Sequence, residues 1–512
     1  MPPLPLSLGR QSNPGFDPHA GIASLLNCYA AVELEGQKSG YTIQCCDGLA
    51  EFATLSGAEG GGRAAIVVGN TLYVLMGKTL FSVDPSGTAT LRGAIPSTGH
   101  ATMCVNRQQP YQQVSIVSDG LSFILQNNVL SEVPDSNLGP SVASAFLDGY
   151  FVHGVSGGIG RFQTSNIDEG TIFDPLDFAS AESKPDPLVT VAVNGPELVL
   201  PGTKSTEFYA NTPNQDAFSF SRLTSKDYGC ASARSVQSIA VLTPEQVTAT
   251  LAWVATDKDG RPSGVILIDG YNARKISSAE VERLIQAEAD PSAIRATSWV
   301  SRGHAFYAIT GSNWTWVYDT ATSAWHERSS RVNGVWGPWR VSVVVAFAGM
   351  LIALDATQGK LYKMSHEYHD EAGDPLLMRV DTPPVTAYPE RLTHDAVWLD
   401  VVPGVGQIGQ EDITADLIHI LGDSVEITAD MGLSPEHEAV YPDVLMSWTE
   451  DGKTWSTPQP RQLGRAGQTG TRVYWRRLGT ANSHGRTYRF ACSAPVVRGF
   501  LGANFEGKKI RA

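Results

Sequence analysis

The chain has 512 residues, above the size at which one hydrophobic core keeps growing, so a large closed architecture plus a second domain is expected. Only 18% of residues are charged, while Gly (50), Pro (30), Trp (11) and Tyr (16) are plentiful, a balance that suits many short strands joined by tight turns and argues against a helical protein. The formal net charge of −14 hides an asymmetry: from Tyr441 onward twelve basic residues stand against four acidic ones (+8), leaving 26 basic against 48 acidic (−22) in the preceding 440. An acidic body with a basic end suits head-to-tail assembly or an anionic partner.

Residues 1–60 read as an N-terminal arm. They carry no basic residue before Arg10 and no sustained apolar run, so no secretory signal is expected and the protein is read as made and kept in a cytoplasm. The six cysteines, Cys28, Cys45, Cys46, Cys104, Cys230 and Cys492, show no C-x-x-C spacing and read as buried free thiols.

From 61 to 380 one theme recurs: an apolar strand, a turn on Asp or Gly, a second strand, then a longer polar loop. It appears at 70–83, 114–133, 145–162, 188–209, 251–276, 297–326 and 341–364, spaced by about 35 to 50 residues as propeller blades are. A β-propeller of six or seven blades is predicted, with closure deciding the number. The strand-ending turns at Asp84, Asp269, Asp319 and Asp355 use a carboxylate that can accept the N–H groups of the turn beyond it. Residues 317–327 resemble the inner part of a Kelch-type blade, with Trp325 expected to pack between blades. The most apolar stretch, 341–354, is strand length twice over and too short to span a membrane. One segment, 276–288, breaks the rhythm with Val281, Leu284 and Ile285 on one face and a Ser277/Glu280 capping box, predicting a short amphipathic helix on the propeller rim.

Residues 381–395 hold three prolines and read as a linker. Beyond it, strands near 396–402, 416–421, 444–448, 472–478 and 487–492 predict an antiparallel, sandwich-like C-terminal domain over 396–512 with a basic end.

Chemical motifs are few. The sequence around Ser156 matches G-x-S-x-G, but residues 159–163 beyond it are strand-like, whereas a nucleophile elbow needs a helix there. His366 and His369 lie three apart, not the four of a zinc helix. Residues 448–455 resemble an Asp-box, itself a structural hairpin, and the Asn313 sequon reads as chance. No Walker loop, dinucleotide fingerprint or zinc spacing occurs, so no catalytic, cofactor or metal residue is assigned, and the chain reads as a non-enzyme. In 472–477 arginines alternate with aromatics. Arg472, Arg476, Arg477, Arg486 and Arg489 are the candidate interface residues, favoured for docking on an acidic neighbour over direct DNA contact.

Asn27-Cys28-Tyr29, Phe146 to Phe151, Gly160-Arg161-Phe162, Asp174 to Glu182, Asp186-Pro187-Leu188, Ser205-Thr206-Glu207, Tyr228-Gly229-Cys230, Gly303 to Tyr307, Trp316 to Asp319, Trp325 to Arg328 and Trp475 to Gly479 together resemble the packaged-DNA stabilization proteins of short-tailed phages, also called tail hub or nozzle proteins. The resemblance implies a viral structural protein of the virion tail, made in the host bacterial cytoplasm. It implies a homo-hexameric ring below a portal and adaptor ring, receiving a tail needle or plug. Packaged double-stranded DNA would pass through it without sequence-specific contacts, along a wall made repulsive to phosphates by the acidic body. Segments 57–63 and 411–438 depart from the pattern. Propeller spacing and the Asp-box-like hairpin leave a glycan-binding or glycan-hydrolysing propeller as the alternative, and a Kelch-like scaffold as another.

Overall fold

A computed structural model describes residues 4–15, 23–32, 40–157, 159–181, 183–212, 218–242, 247–406 and 441–510. The predicted strand at 416–421 lies outside them. The chain divides into two compact units, one of residues 51–323 and 338–364 and the other of 1–50, 324–337 and 365–512.

The first unit is a seven-bladed propeller. Blade 1 comprises Gly62–Val68, Thr71–Met76, Thr79–Val83 and Ala89–Ala94, each strand antiparallel to the next. The inner strands of blades 2 to 7 are Ala101–Val105, Ser141–Leu147, Ala192–Asn194, Gln237–Leu242, Arg295–Ser301 and Val341–Phe347. Each of the seven sequence units falls on one blade. Closure settles the count: the inner strand of blade 7 neighbours that of blade 1, and Gly48–Thr54, which precedes blade 1 in the chain, supplies the outer strand of blade 7.

The packing derives from the period of two along a strand. In Thr71–Met76, Leu72 and Val74 face blade 7 and pack with Ile352 and Leu354, while Tyr73 and Leu75 face blade 2 and pack with Val114 and Ile116. Such a strand is apolar on both faces, which is why it reads as a continuous hydrophobic run. Outer strands lose one neighbour, and Ala89–Ala94 accordingly has no buried residue.

Three of the four turn aspartates behave as their chemistry suggests. Asp84 accepts the N–H groups of Ser86 and Thr88 at 2.9 Å each, Asp319 that of Ala321 at 3.0 Å, and Asp355 those of Thr357 and Gln358 at 2.8 and 2.9 Å. Asp269 departs from them: it sits opposite Asn272 at the end of a two-residue hairpin, which needs no carboxylate to close. The helix is Ala279–Ala287 and packs on strand Pro262–Asp269, burying Val281 and Ile285. Its cap is Ser278, one residue later than the predicted Ser277, whose hydroxyl instead donates to Glu282.

The second unit is a β-sandwich assembled from three stretches of chain. One sheet runs Cys28–Val32, Tyr41–Cys45, Gly499–Glu506, Ala396–Val401, Val473–Arg476. The other includes Ala324–Val332, Ser24–Leu26, Met378–Asp381, Thr487–Cys492, Asp443–Thr449 and Gln459–Gln462. Between them lie Leu25, Ile43, Val380, Val397, Met446, Trp475, Phe490 and Phe500. The stretch read as an arm thus contributes three strands whose apolar faces complete this core, and the stretch read as a linker holds strand Arg391–Thr393. Trp325 is buried on strand Ala324–Val332. None of the six cysteines forms a disulfide; four are buried, with Cys45 and Cys104 half-buried.

Candidate functional site: the propeller channel and the basic strand

The residues that carry the family resemblance do structural work. Asn27 is fully buried at a left-handed φ of 53°; its amide donates to Ser329 and Leu377 carbonyls at 3.0 Å each, and its oxygen accepts from the Ser329 N–H. Asp186 accepts the N–H groups of Lys204 and Ser205 at 2.7 and 3.1 Å, and Thr206 donates to the Tyr228 carbonyl. Gly229 has no room for a side chain, since a Cβ there would lie 2.5 Å from the Lys204 nitrogen. His304 Nδ1 meets Asp319 at 2.7 Å, and Arg328 donates to the Asp47 carbonyl at 2.8 Å. These are buried polar groups paired at close range, which fix one arrangement of strands.

The motifs singled out for their catalytic form lie in turns. Ser156 sits in a turn between two antiparallel strands, and His366 and His369 lie in a turn where, among the described residues, no metal-binding group forms. The Asp-box-like hairpin belongs to the sandwich and not to the propeller. Its Asp451 accepts from the N–H groups of Lys453 and Thr454 at 2.8 and 2.7 Å and from the Thr449 hydroxyl, which hold its carboxyl far below the usual carboxylate range.

The five candidate arginines separate into two groups. Arg486 is buried, donating to Glu450 at 2.6 Å and to the Leu478 carbonyl at 2.7 Å beneath the Trp448 ring. Arg489 makes a two-pronged pair with Asp381 at 2.6 and 2.8 Å and stacks 3.6 Å from the Trp455 ring centre. Both are engaged inside the sandwich. Arg472, Arg476 and Arg477 are exposed on and beside strand Val473–Arg476, with Arg476 over the Tyr474 ring, while Val473 and Trp475 point into the core. Among the described residues that strand is the edge of its sheet, pairing with Ala396–Val401, and its Tyr474 carbonyl accepts from the Arg461 guanidinium at 3.0 Å.

A second basic site was not legible in the sequence. Where the inner strands of all seven blades converge they enclose a cavity of about 330 Å³ lined by Arg63, His100, Arg234 and Arg295, with no Asp or Glu among its described lining residues. Arg63 is fully engaged, donating to the carbonyls of Gly77, Ser97 and Gly99 at 2.8 to 2.9 Å. Burial pushes Arg63 and Arg295 down to about 10, with the Arg234 charge adding to the effect, and pushes His100 down to about 4, with Arg234 and Arg63 adding to it. The four side chains come from blades 1, 2, 5 and 6 and the loops before them, so no local pattern announces them.

A propeller and a sandwich, with polar networks that stitch their strands, define a protein of the β-propeller class. Family models for bacteriophage P22 Gp10 match both parts, the β-propeller over residues 4–369 and the β-sandwich over 415–508. The chain belongs to that family of packaged-DNA stabilization proteins, structural proteins of the phage tail. Comparison with curated proteins gives no match. Among solved structures, it is 12% identical to the computationally designed Ika8 protein at a TM-score of 0.36, over 62% of this chain and 99% of that one. It is also 12% identical at 0.36 to PorZ, a surface component of the type-IX secretion system of Porphyromonas gingivalis, over 67% of this chain and 44% of that one.

Proposed function

We propose that six copies of this chain form a ring that extends and closes the DNA exit channel of the phage tail, retaining the packaged genome and guiding its ejection. The observation that carries the reading is the exposed arginine face of Arg472, Arg476 and Arg477, set on and beside a strand that is an edge among the described residues, in a chain whose first 440 residues carry a net −22 (26 basic against 48 acidic). A fixed basic face on an otherwise acidic molecule steers an acidic partner surface into register. In this reading the partner is an adaptor ring above, with a tail needle or plug below. DNA passes an acidic lumen that repels its phosphates, so no base contacts are needed.

Charge reversal tests it. Arg472→Glu with Arg476→Glu leaves the core residues Val473 and Trp475 untouched, so the purified chain folds, but phage heads made with it leak DNA and lack completed tails. Normal genome retention and normal tails in that variant would overturn the assignment of this face.

A further inference from the structure

The cavity at the centre of the propeller holds an unusual balance of charge. Three guanidinium groups and an imidazole line it without a carboxylate. The acids in electrostatic reach are set back from it: Asp119, which acts on Arg63 and His100, is held by the Gly99 N–H at 2.8 Å, and Asp355, which acts on Arg295, is bound to Arg340 and Tyr362. Arg234 acts electrostatically on each of the other three groups and Arg63 acts on His100, and all four line the same cavity.

The hydrogen bonds of these cavity-lining groups are also incomplete. Arg234 makes no hydrogen bond or ion pair among the described residues. Arg295 reaches only the Trp339 carbonyl, at 3.5 Å, and its buried Nε has no acceptor. Nε2 of His100 is buried with no partner. Buried donors without acceptors, and like charges gathered close together, are both costly, and one bound anion relieves both.

We propose that this cavity is a binding site for a single phosphate-type oxyanion, held by Arg234 and Arg295 with His100 as a neutral donor and Arg63 as a fixed positive charge behind it. Two guanidinium forks and an imidazole N–H match the several acceptor oxygens of a phosphate better than they match chloride. At about 330 Å³ the cavity has room for an oxyanion or a phosphate monoester. An anion here ties blades 1, 2, 5 and 6 across the channel. The site therefore acts within the propeller and is separate from the docking face on the sandwich.

The test is calorimetric titration of the full chain with inorganic phosphate and, separately, with a deoxynucleoside 5′-monophosphate, against sodium chloride at matched ionic strength. Saturable one-to-one binding of phosphate, with a rise in the propeller's melting temperature that chloride does not give, supports the site. Tighter binding of the monophosphate supports it with a phosphate monoester as occupant, and weaker binding supports it with the free ion. Arg234→Gln is expected to weaken binding at least ten-fold without lowering the melting temperature of the anion-free protein, because Arg234 bonds to nothing among the described residues and repels its neighbours. Arg295→Gln should weaken binding similarly. Absence of saturable binding, or equal binding by wild type and Arg234→Gln, would overturn the proposal.

Discussion

Replacing Asp381 by Ala should open the sandwich at the strands that flank it. Asp381 is 2% exposed and accepts two charge-assisted hydrogen bonds from Arg489, directly opposite it across the ladder, at 2.6 and 2.8 Å; Arg379 lies 3.8 Å away on its other side. Each such bond contributes about 1.5–3 kcal/mol, and leaving a buried charge unpaired costs about 3–5 kcal/mol. Arg489 is a quarter exposed and recovers some hydration, so the expected loss is about 2–4 kcal/mol. At 1.4 kcal/mol per decade, that is roughly a 30- to 700-fold rise in the opening equilibrium, readable by hydrogen exchange with mass spectrometry on the full chain. Peptides covering Met378–Asp381 and Thr487–Cys492 should lose protection, while the propeller strand Thr71–Met76 serves as an internal control. A change below ten-fold would refute the reasoning. Asp381→Leu with Arg489→Leu should restore part of the protection, since the Arg489 charge is then no longer stranded and only the partly exposed Arg379 loses its neighbouring carboxylate.

Acid should weaken both units through their buried histidines. Burial pushes His153 in the propeller and His394 in the sandwich down to about 3, against 6.5 when exposed, so the unfolded chain takes up the proton first, and the stability present above pH 6.5 is lost as pH falls toward 3. The loss is about 2–3 kcal/mol per histidine at pH 4.5, and melting curves from pH 7.5 to 4.5 should flatten in His153→Asn. An unchanged slope in that variant would count against it. Asp451→Ala removes the acceptor of three turn hydrogen bonds and should speed amide exchange at Lys453 and Thr454 while leaving the propeller intact, as the same exchange experiment shows. Native mass spectrometry of the chain alone and with an adaptor complex should show six copies in the assembled ring; any other stoichiometry contradicts the proposed ring.

What could be read from the sequence was local. A strand with apolar residues on both faces, a carboxylate just ahead of the turn it caps, and Val281 and Ile285 one helical turn apart are relations within a dozen residues, so the seven units, three of the four aspartate turns and the helix were legible. The helix cap moved by one residue because Ser277 and Ser278 offer the same hydroxyl and only the backbone path selects between them. Blade number was a matter of closure: Gly48–Thr54 must reach the last blade, some 300 residues along the chain, and no periodicity reports that. The roles of the arginines were decided in the same way. Arg472 and Arg489 look alike in sequence, but only one meets a buried carboxylate, on a strand more than a hundred residues earlier. Arg63, His100, Arg234 and Arg295 share nothing in sequence and become one site because seven inner strands converge on one axis. Short-range chemistry belongs to the sequence, while charge neighbourhoods belong to the tertiary structure, because the chain must first be folded back on itself before distant side chains share one dielectric.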